Sequence, residues 1–230
     1  MTHFTENLLI AIGAWQNGWQ EDQNRRAELA EKLRRETESL PVDFRTVDVL
    51  CYRKRFIHKG ELLDIVLADE RAEGPTSWTT DKAFAERFKG RVRLEAVSGA
   101  IFCHKPLPNE VILNIAALWK TNSFVSAANA FRDNGGKHAD ALFNFREAQG
   151  EVVMKAPLRG SEIVALTAVS SPFDELCDKG NIPERARDAL FKQLVDQNIY
   201  LGEPTYTSEN GAQNAIANTI RRIHKKLGLS

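Results

Sequence analysis

The sequence predicts an α+β protein whose sheet is antiparallel or split. Three observations carry that expectation. Helical periodicity is confined to the two ends of the chain, strand-like alternation is confined to the middle, and the motifs of a doubly wound nucleotide fold are absent. With 230 residues the chain can bury a full core without disulfides or metals, so one domain is expected. Within it, residues 1–41 form an N-terminal helical segment, 45–170 the strand-rich core and 181–230 a C-terminal helical extension.

The elements follow in order. The first 40 residues read as helix. From Glu21 to Leu40 there is neither proline nor glycine, and Glu28/Lys32 and Glu31/Arg35 have the i,i+4 spacing of helix-surface ion pairs. Only Ala27, Leu29, Ala30 and Leu33 give this stretch an apolar side, which suits a surface or lid helix, and Pro41 ends it. Val47, Val49 and Cys51 then alternate with their neighbours, placing a strand near 47–56. Glu61–Glu70 suggests a short helix. The turn Glu73-Gly74-Pro75 leads into Thr76-Ser77-Trp78-Thr79-Thr80-Asp81, and Ala83, Phe84 and Phe88 mark the next helix, stopped by Gly90.

Arg91–Val97 alternates strictly and reads as a half-buried strand, with Ala100–His104 as another. The apolar run Glu110–Trp119 fits a strand or a buried helix equally well. Ser123–Asp133 is helical and Asn134-Gly135-Gly136 breaks it. Glu151–Ala156 and Ile163–Val169 are the last strand candidates, since after residue 180 only helices are expected. Pro183–Gln197 is one of them. The other carries a single stripe, Ala212, Ile216, Ile220, Ile223 and Leu227, with Gly228 as its stop. The cations near its end, Arg221, Arg222, Lys225 and Lys226, suit the C-terminal pole of a helix.

Composition removes several classes of function. The 31 basic and 31 acidic residues balance, so charge gives no argument for a nucleic-acid or membrane partner. Cys51, Cys103 and Cys177 have neither metal-ligand nor redox-pair spacing, and each sits among apolar neighbours as a small hydrophobe, so no metal site is expected. The run Leu8–Trp15 lacks the basic flank of a signal peptide and is too short to span a bilayer. A cytoplasmic protein with no membrane contact is therefore expected. His104 and His138 have no carboxylate or nucleophile nearby in sequence to make them general bases.

Three short stretches stand out in chain order. Arg53 lies in Cys51-Tyr52-Arg53-Lys54-Arg55, on the first strand candidate and on the same side as Arg55. Ser77 opens Ser77-Trp78-Thr79. Glu151 opens the strand Glu151-Val152-Val153-Met154, and alternation would put Gln149 on its face. An arginine, a hydroxyl and a carboxylate on rigid strand edges are the minimum for cleaving the bond between nicotinamide and ribose. Its transition state is oxocarbenium-like and needs a cation for the pyrophosphate and a negative charge beside the sugar.

These residues resemble the ADP-ribosyltransferase fold family, in the branch marked by an arginine, a Ser-x-Ser/Thr and a Glu-x-Glu or Gln-x-Glu motif, over roughly residues 45 to 170. The resemblance implies a split antiparallel sheet flanked by helices, NAD as co-substrate, and transfer of ADP-ribose to a macromolecule. Arg53, with Tyr52 beside it and preferred to Arg55 on the same strand face, would bind a phosphate and the nicotinamide side of NAD. Ser77 would hold the arginine or the glutamate, Trp78 would line the cofactor site, and Thr79 would support the strand. Glu151 would bond the ribose 2′-hydroxyl and stabilise the oxocarbenium ion. Gln149 would face the acceptor and favour RNA, DNA or a non-arginine protein site, with Phe143 or Phe145 stacking on a base. Apart from the resemblance, Glu147, two residues before Gln149 on the same face, would tune the site or simply be solvated. A toxin or phage-conflict effector is the implied setting, with an antitoxin or inhibitor protein as partner. NAD glycohydrolase activity and a catalytically silent interaction module on the same fold are the alternatives.

Overall fold

The computed structural model describes residues 3–18, 22–58, 60–91, 93, 96–144, 146, 149–168, 171–197, 199 and 205–228. Its elements in chain order are α1 (Glu6–Gln16), α2 (Gln23–Thr37), β1 (Cys51–Ile57), α3 (Glu61–Leu67), β2 (Thr76–Thr79), α4 (Lys82–Arg87), β3 (Ser98–His104), β4 (Val111–Asn114) and α5 (Ile115–Trp119). They continue with α6 (Asn122–Asp133), α7 (Ala139–Phe143), β5 (Glu151–Met154), β6 (Ile163–Ala168), α8 (Ser171–Lys179), α9 (Glu184–Asp196), β7 (Thr205–Tyr206) and α10 (Glu209–Leu227). The fold is mixed, with an antiparallel sheet of seven strands and flanking helices, as the order of periodicities predicts. Two compact units share it. One comprises residues 1–53, 72–85 and 104–157, the other 54–71, 86–103 and 158–230.

In the first unit the strand order is β4-β5-β2-β1, with the opening residues of β1 at one side. The helix α1 begins at Thr5, whose hydroxyl accepts from the Leu8 amide at 3.2 Å. It is apolar almost all round, and such a helix must be covered on every side. Leu8, Leu9, Ile12 and Trp15 are accordingly buried in one core with Leu33 of α2, Phe124 and Phe131 of α6, Leu142 of α7 and Val153 of β5. The approach to α7 is close: a Cβ on Gly13 would stand 2.5 Å from the His138 carbonyl oxygen. The helix α2 starts at Asp22, which accepts from two amides, and it buries Ala30 and Leu33. It is a packed amphipathic helix more than a lid.

The second unit orders its strands β1-β3-β6-β7. The helix α10 packs on β6, where Gln213 Nε2 donates to the Ile163 carbonyl at 2.7 Å. Its stripe is buried at Ala212 and Ile216 but leaves Leu227 exposed, and Gly228 closes the helix in the left-handed conformation with φ +68°. Lys54 is a half-buried cation of this unit. Its ammonium donates to the Glu86 and Gly90 carbonyls beside the Phe56 and Tyr206 rings, and burial pushes its pKa down to about 8. The Tyr206 hydroxyl donates to the same Glu86 carbonyl at 3.0 Å, and burial pushes it up to about 12.

Several expectations are corrected. The first strand starts at Cys51, because Val49 and Leu50 are exposed and unpaired in the sheet. On α2 the ion pairs run through Arg34, to Glu31 at i,i+3 and Glu38 at i,i+4, in place of Glu28/Lys32 and Glu31/Arg35. Of Arg91–Val97, Val92, Leu94 and Glu95 lie outside the described residues, and the others carry no strand; pairing begins at Ser98. The ambiguous run Glu110–Trp119 is both things in turn. It is strand to Asn114, whose side chain accepts from the Ala117 amide at 3.0 Å and starts α5. Strands do not cease at residue 180, for β7 pairs with β6 through Thr167–Tyr206 and Ala168–Thr205. The stretch before Gln149 contains the short helix α7.

None of the described cysteines is in a disulfide, and Cys51 and Cys177 are buried as small hydrophobes. No helix among the described residues is long and apolar enough to cross a membrane.

Candidate functional site

Strands β2 and β5 lie antiparallel with Ser77 opposite Val153 and Thr79 opposite Glu151. Directly opposed residues share a face, and alternation puts Ser77 on the face of Thr79, so Ser77 and Glu151 are diagonal neighbours. The contact is direct: the Ser77 hydroxyl donates to Glu151 Oε1 at 2.6 Å. Two further donors come from α1. Trp15 Nε1 lies 3.2 Å from the same oxygen and 3.0 Å from the Ser77 oxygen, and Gln16 Nε2 donates to Oε2 at 2.8 Å.

Glu151 is a carboxylate at the first residue of its strand and only 5% exposed. Burial pushes its pKa above the ordinary 4.5, while the Ser77, Gln16 and Trp15 hydrogen bonds pull the other way. A buried carboxylate surrounded by donors is prepared to be anionic, yet it is poorly hydrated. Both properties make its charge count for more beside a developing cation.

Arg53 reaches the same pair from β1. Its NH1 donates to the Ser77 carbonyl at 2.9 Å, and its other nitrogens meet Glu73 Oε2 at 3.1 and 3.3 Å. Arg55 is engaged elsewhere, at 2.6 Å from Glu61 and 3.0 Å from the Phe56 carbonyl. Of the two candidate arginines, Arg53 is the one attached to Ser77. The register places Tyr52 opposite Thr79, so the tyrosine, and not the arginine, shares the pleat face of Thr79 and Glu151. Arg53 contributes through the main chain and its ion pair.

Thr79 is tied into the end of the strand. Its hydroxyl donates to the Gln149 carbonyl, accepts from the Asp81 amide at 3.0 Å and is buried. The Thr80 amide donates to the Gly150 carbonyl at 3.0 Å, so the turn before β5 is fastened to the end of β2. Only glycine fits between them. Gly150 has φ +52°, and a Cβ there would lie 2.5 Å from Thr80 Oγ1.

That turn changes the reading of Gln149. The strand starts at Glu151, so the two-residue alternation does not extend back to Gln149. Its side chain is buried all the same, and its Oε1 has no hydrogen-bond partner among the described residues. An acceptor in that state is suited to a donor supplied by a ligand.

Other expectations fall away. Trp78 is wholly buried on the opposite face, its indole donating to Thr76 Oγ1 at 3.1 Å and its ring 5.8 Å from His104. It is buried as a core residue in this structure. Phe143 packs 5.2 Å from the Trp119 ring and carries the Arg132 guanidinium at 4.1 Å, so its stacking surface is already used. Phe145 and Glu147 lie outside the described residues. His104 does have a carboxylate, Glu110 at 2.7 Å, which also accepts from the Leu107 amide and so braces the turn before β4. His138 starts α7 in a left-handed conformation, and burial holds its pKa below the ordinary value.

Trp15, Gln16 and Glu73 are the site residues the sequence did not single out. The available signal was the end of the Leu8–Trp15 run, where an indole and an amide close a helix too apolar to lie on a surface. Among the described residues no group of three or more His, Cys, Asp or Glu side chains is placed to hold a metal ion. No protein-family model, curated protein or solved structure matches the chain.

Proposed function

We propose that this chain is an NAD-dependent mono-ADP-ribosyltransferase of the ADP-ribosyltransferase fold, moving ADP-ribose from NAD to a macromolecular acceptor with release of nicotinamide. One observation carries the reading. Arg53, Ser77 and Glu151, distant in the chain, form a continuous hydrogen-bonded series from guanidinium to Ser77 carbonyl and from Ser77 hydroxyl to a buried carboxylate. Nothing in core packing requires a carboxylate there, and a buried charge is costly unless it has a use. The seven-stranded antiparallel sheet and the helices at both ends agree with the architecture the resemblance implies.

In this reading the C1′–N bond of NAD breaks and its electron pair goes to the nicotinamide ring, leaving positive charge on the ribose. Glu151 stabilises that charge and holds the 2′-hydroxyl, with Ser77 fixing the carboxylate in place. Arg53 meets a phosphate by exchanging its pairing with Glu73. An acceptor nucleophile then forms the new bond at C1′ and gives up its proton. Gln149, whose Oε1 has no hydrogen-bond partner among the described residues, faces the incoming group as a neutral amide, so it offers a donor to bond with but no carboxylate to pair a guanidinium. Such an enzyme fits an intracellular conflict or toxin role, with an inhibitor protein to restrain it.

Labelled NAD incubated with the purified chain, with and without cell lysate, tests this. Label on protein or nucleic acid is expected, and Glu151→Ala is expected to abolish it while leaving the circular dichroism unchanged. Free ADP-ribose alone would make the chain a glycohydrolase. A fully active Glu151→Ala enzyme would overturn the assignment.

A further inference from the structure

The two oxygens of Glu151 are held unequally. Oε1 has two donors on rigid supports: Ser77 on a central strand and Trp15, whose indole is buried in the core. Oε2 has Gln16, the last residue of α1, half-buried and followed by Asn17 and Gly18. Gly18 has φ +86° with open space around it, so the chain turns away immediately after the glutamine. The Gln16 amide is itself only half-satisfied. Its Nε2 meets the carboxylate, but its Oε1 is buried without a hydrogen-bond partner among the described residues. Swinging the side chain outward would lose one bond and return an orphaned acceptor to water, whereas moving Trp15 would open the core.

We propose that Gln16 is a placeholder: its amide occupies, on Glu151 Oε2, the position that a substrate hydroxyl takes, and the substrate displaces it. Trp15 and Ser77 keep Oε1 throughout and act as positioning residues. This rests on the NAD reading above, since a ribose supplies the hydroxyl donor. It explains why a carboxylate meant to meet a ligand has both oxygens bonded within the chain. The glutamine shields the anion until a better donor arrives, and substrate binding is weakened by that competition.

Calorimetric titration of NAD into the full chain and its Gln16→Ala variant tests the idea. Removing one competing hydrogen bond should tighten NAD binding by about two- to tenfold. Unchanged or weaker binding by the variant, with the wild-type chain binding NAD, would make Gln16 a fixed part of the site and overturn the placeholder alone. A folded wild-type chain that binds no NAD would instead sink the proposed function, and this inference with it. Side-chain NMR of the wild-type protein gives a second readout that needs no variant. At saturating NAD the Gln16 amide signals should move to solvent-like positions while the Trp15 indole proton stays hydrogen-bonded. A Gln16 amide that stays bonded under saturation would refute displacement.

Discussion

At the scale of single residues, the ionisation of Glu151 links structure to activity. Burial raises its pKa above 4.5, and the proposed reaction requires the anion. Activity should therefore fall on acidification with a midpoint above the ordinary glutamate value. The Ser77 hydrogen bond opposes that rise, so Ser77→Ala should move the midpoint further up and slow turnover by about tenfold to a hundredfold, read from pH–rate profiles. The linkage to stability has the opposite sign from the usual carboxylate. The folded state holds the proton more tightly than the unfolded one, so this group's contribution to stability is lost as pH rises from 4.5 through the folded-state value. Glu151→Gln removes the titration. Its melting temperature relative to wild type should rise with pH across that window, while NAD turnover is lost. The sequence alone could nominate Arg53, Ser77 and Glu151, because residue type and order are visible in it. It could not nominate Trp15, whose indole reaches Glu151 from 136 positions away.

At the scale of elements, legibility follows how much of an element's stability is local. The helix α10 has its own cap at Ser208, its stripe and its Gly228 stop, so it was readable throughout. The two-residue strand β7 exists only through its pairing with β6, and no local signal announces it. The turn before β5 lies between these cases: Gly150 is visible as a glycine, but its left-handed backbone and its contact with β2 are tertiary facts. Gly150→Ala should cost about 1–3 kcal/mol in denaturant unfolding, from strain and from collision with Thr80. Because the turn sets the start of β5, NAD turnover should fall by more than the lost stability accounts for. Gly13→Ala supplies the contrast. Its Cβ would meet the main chain of His138, so the α1–α7 packing must open by a similar cost, about 1–3 kcal/mol. Since α1 also carries Trp15 and Gln16, the pH–rate profile should shift along with the melting temperature.

At the scale of the whole molecule, the charge distribution bears on which acceptor the proposed transferase would modify. Basic and acidic residues balance at 31 each, so no net field steers the chain toward a polyanion. The cationic end of α10 is the natural place to look for a local patch. There, Arg222 pairs with Glu184 at 3.0 Å and Arg221 donates to Asn218, while His224, Lys225 and Lys226 stand at the helix C-terminus, where they offset its dipole. A nucleic acid held through many phosphates would lose about a thousandfold or more in affinity between 50 and 200 mM salt. This chain lacks the uniform charge excess for such a grip, and in the proposed function Gln149 would meet the acceptor through short-range hydrogen bonds. The expected result is that label transfer in lysate changes by less than about tenfold over that salt range. Nuclease and protease digestion of the labelled material then assign the acceptor. A steep salt dependence with nuclease-sensitive label would show that an extended phosphate-binding surface exists after all, and would move the search for it to the basic end of α10.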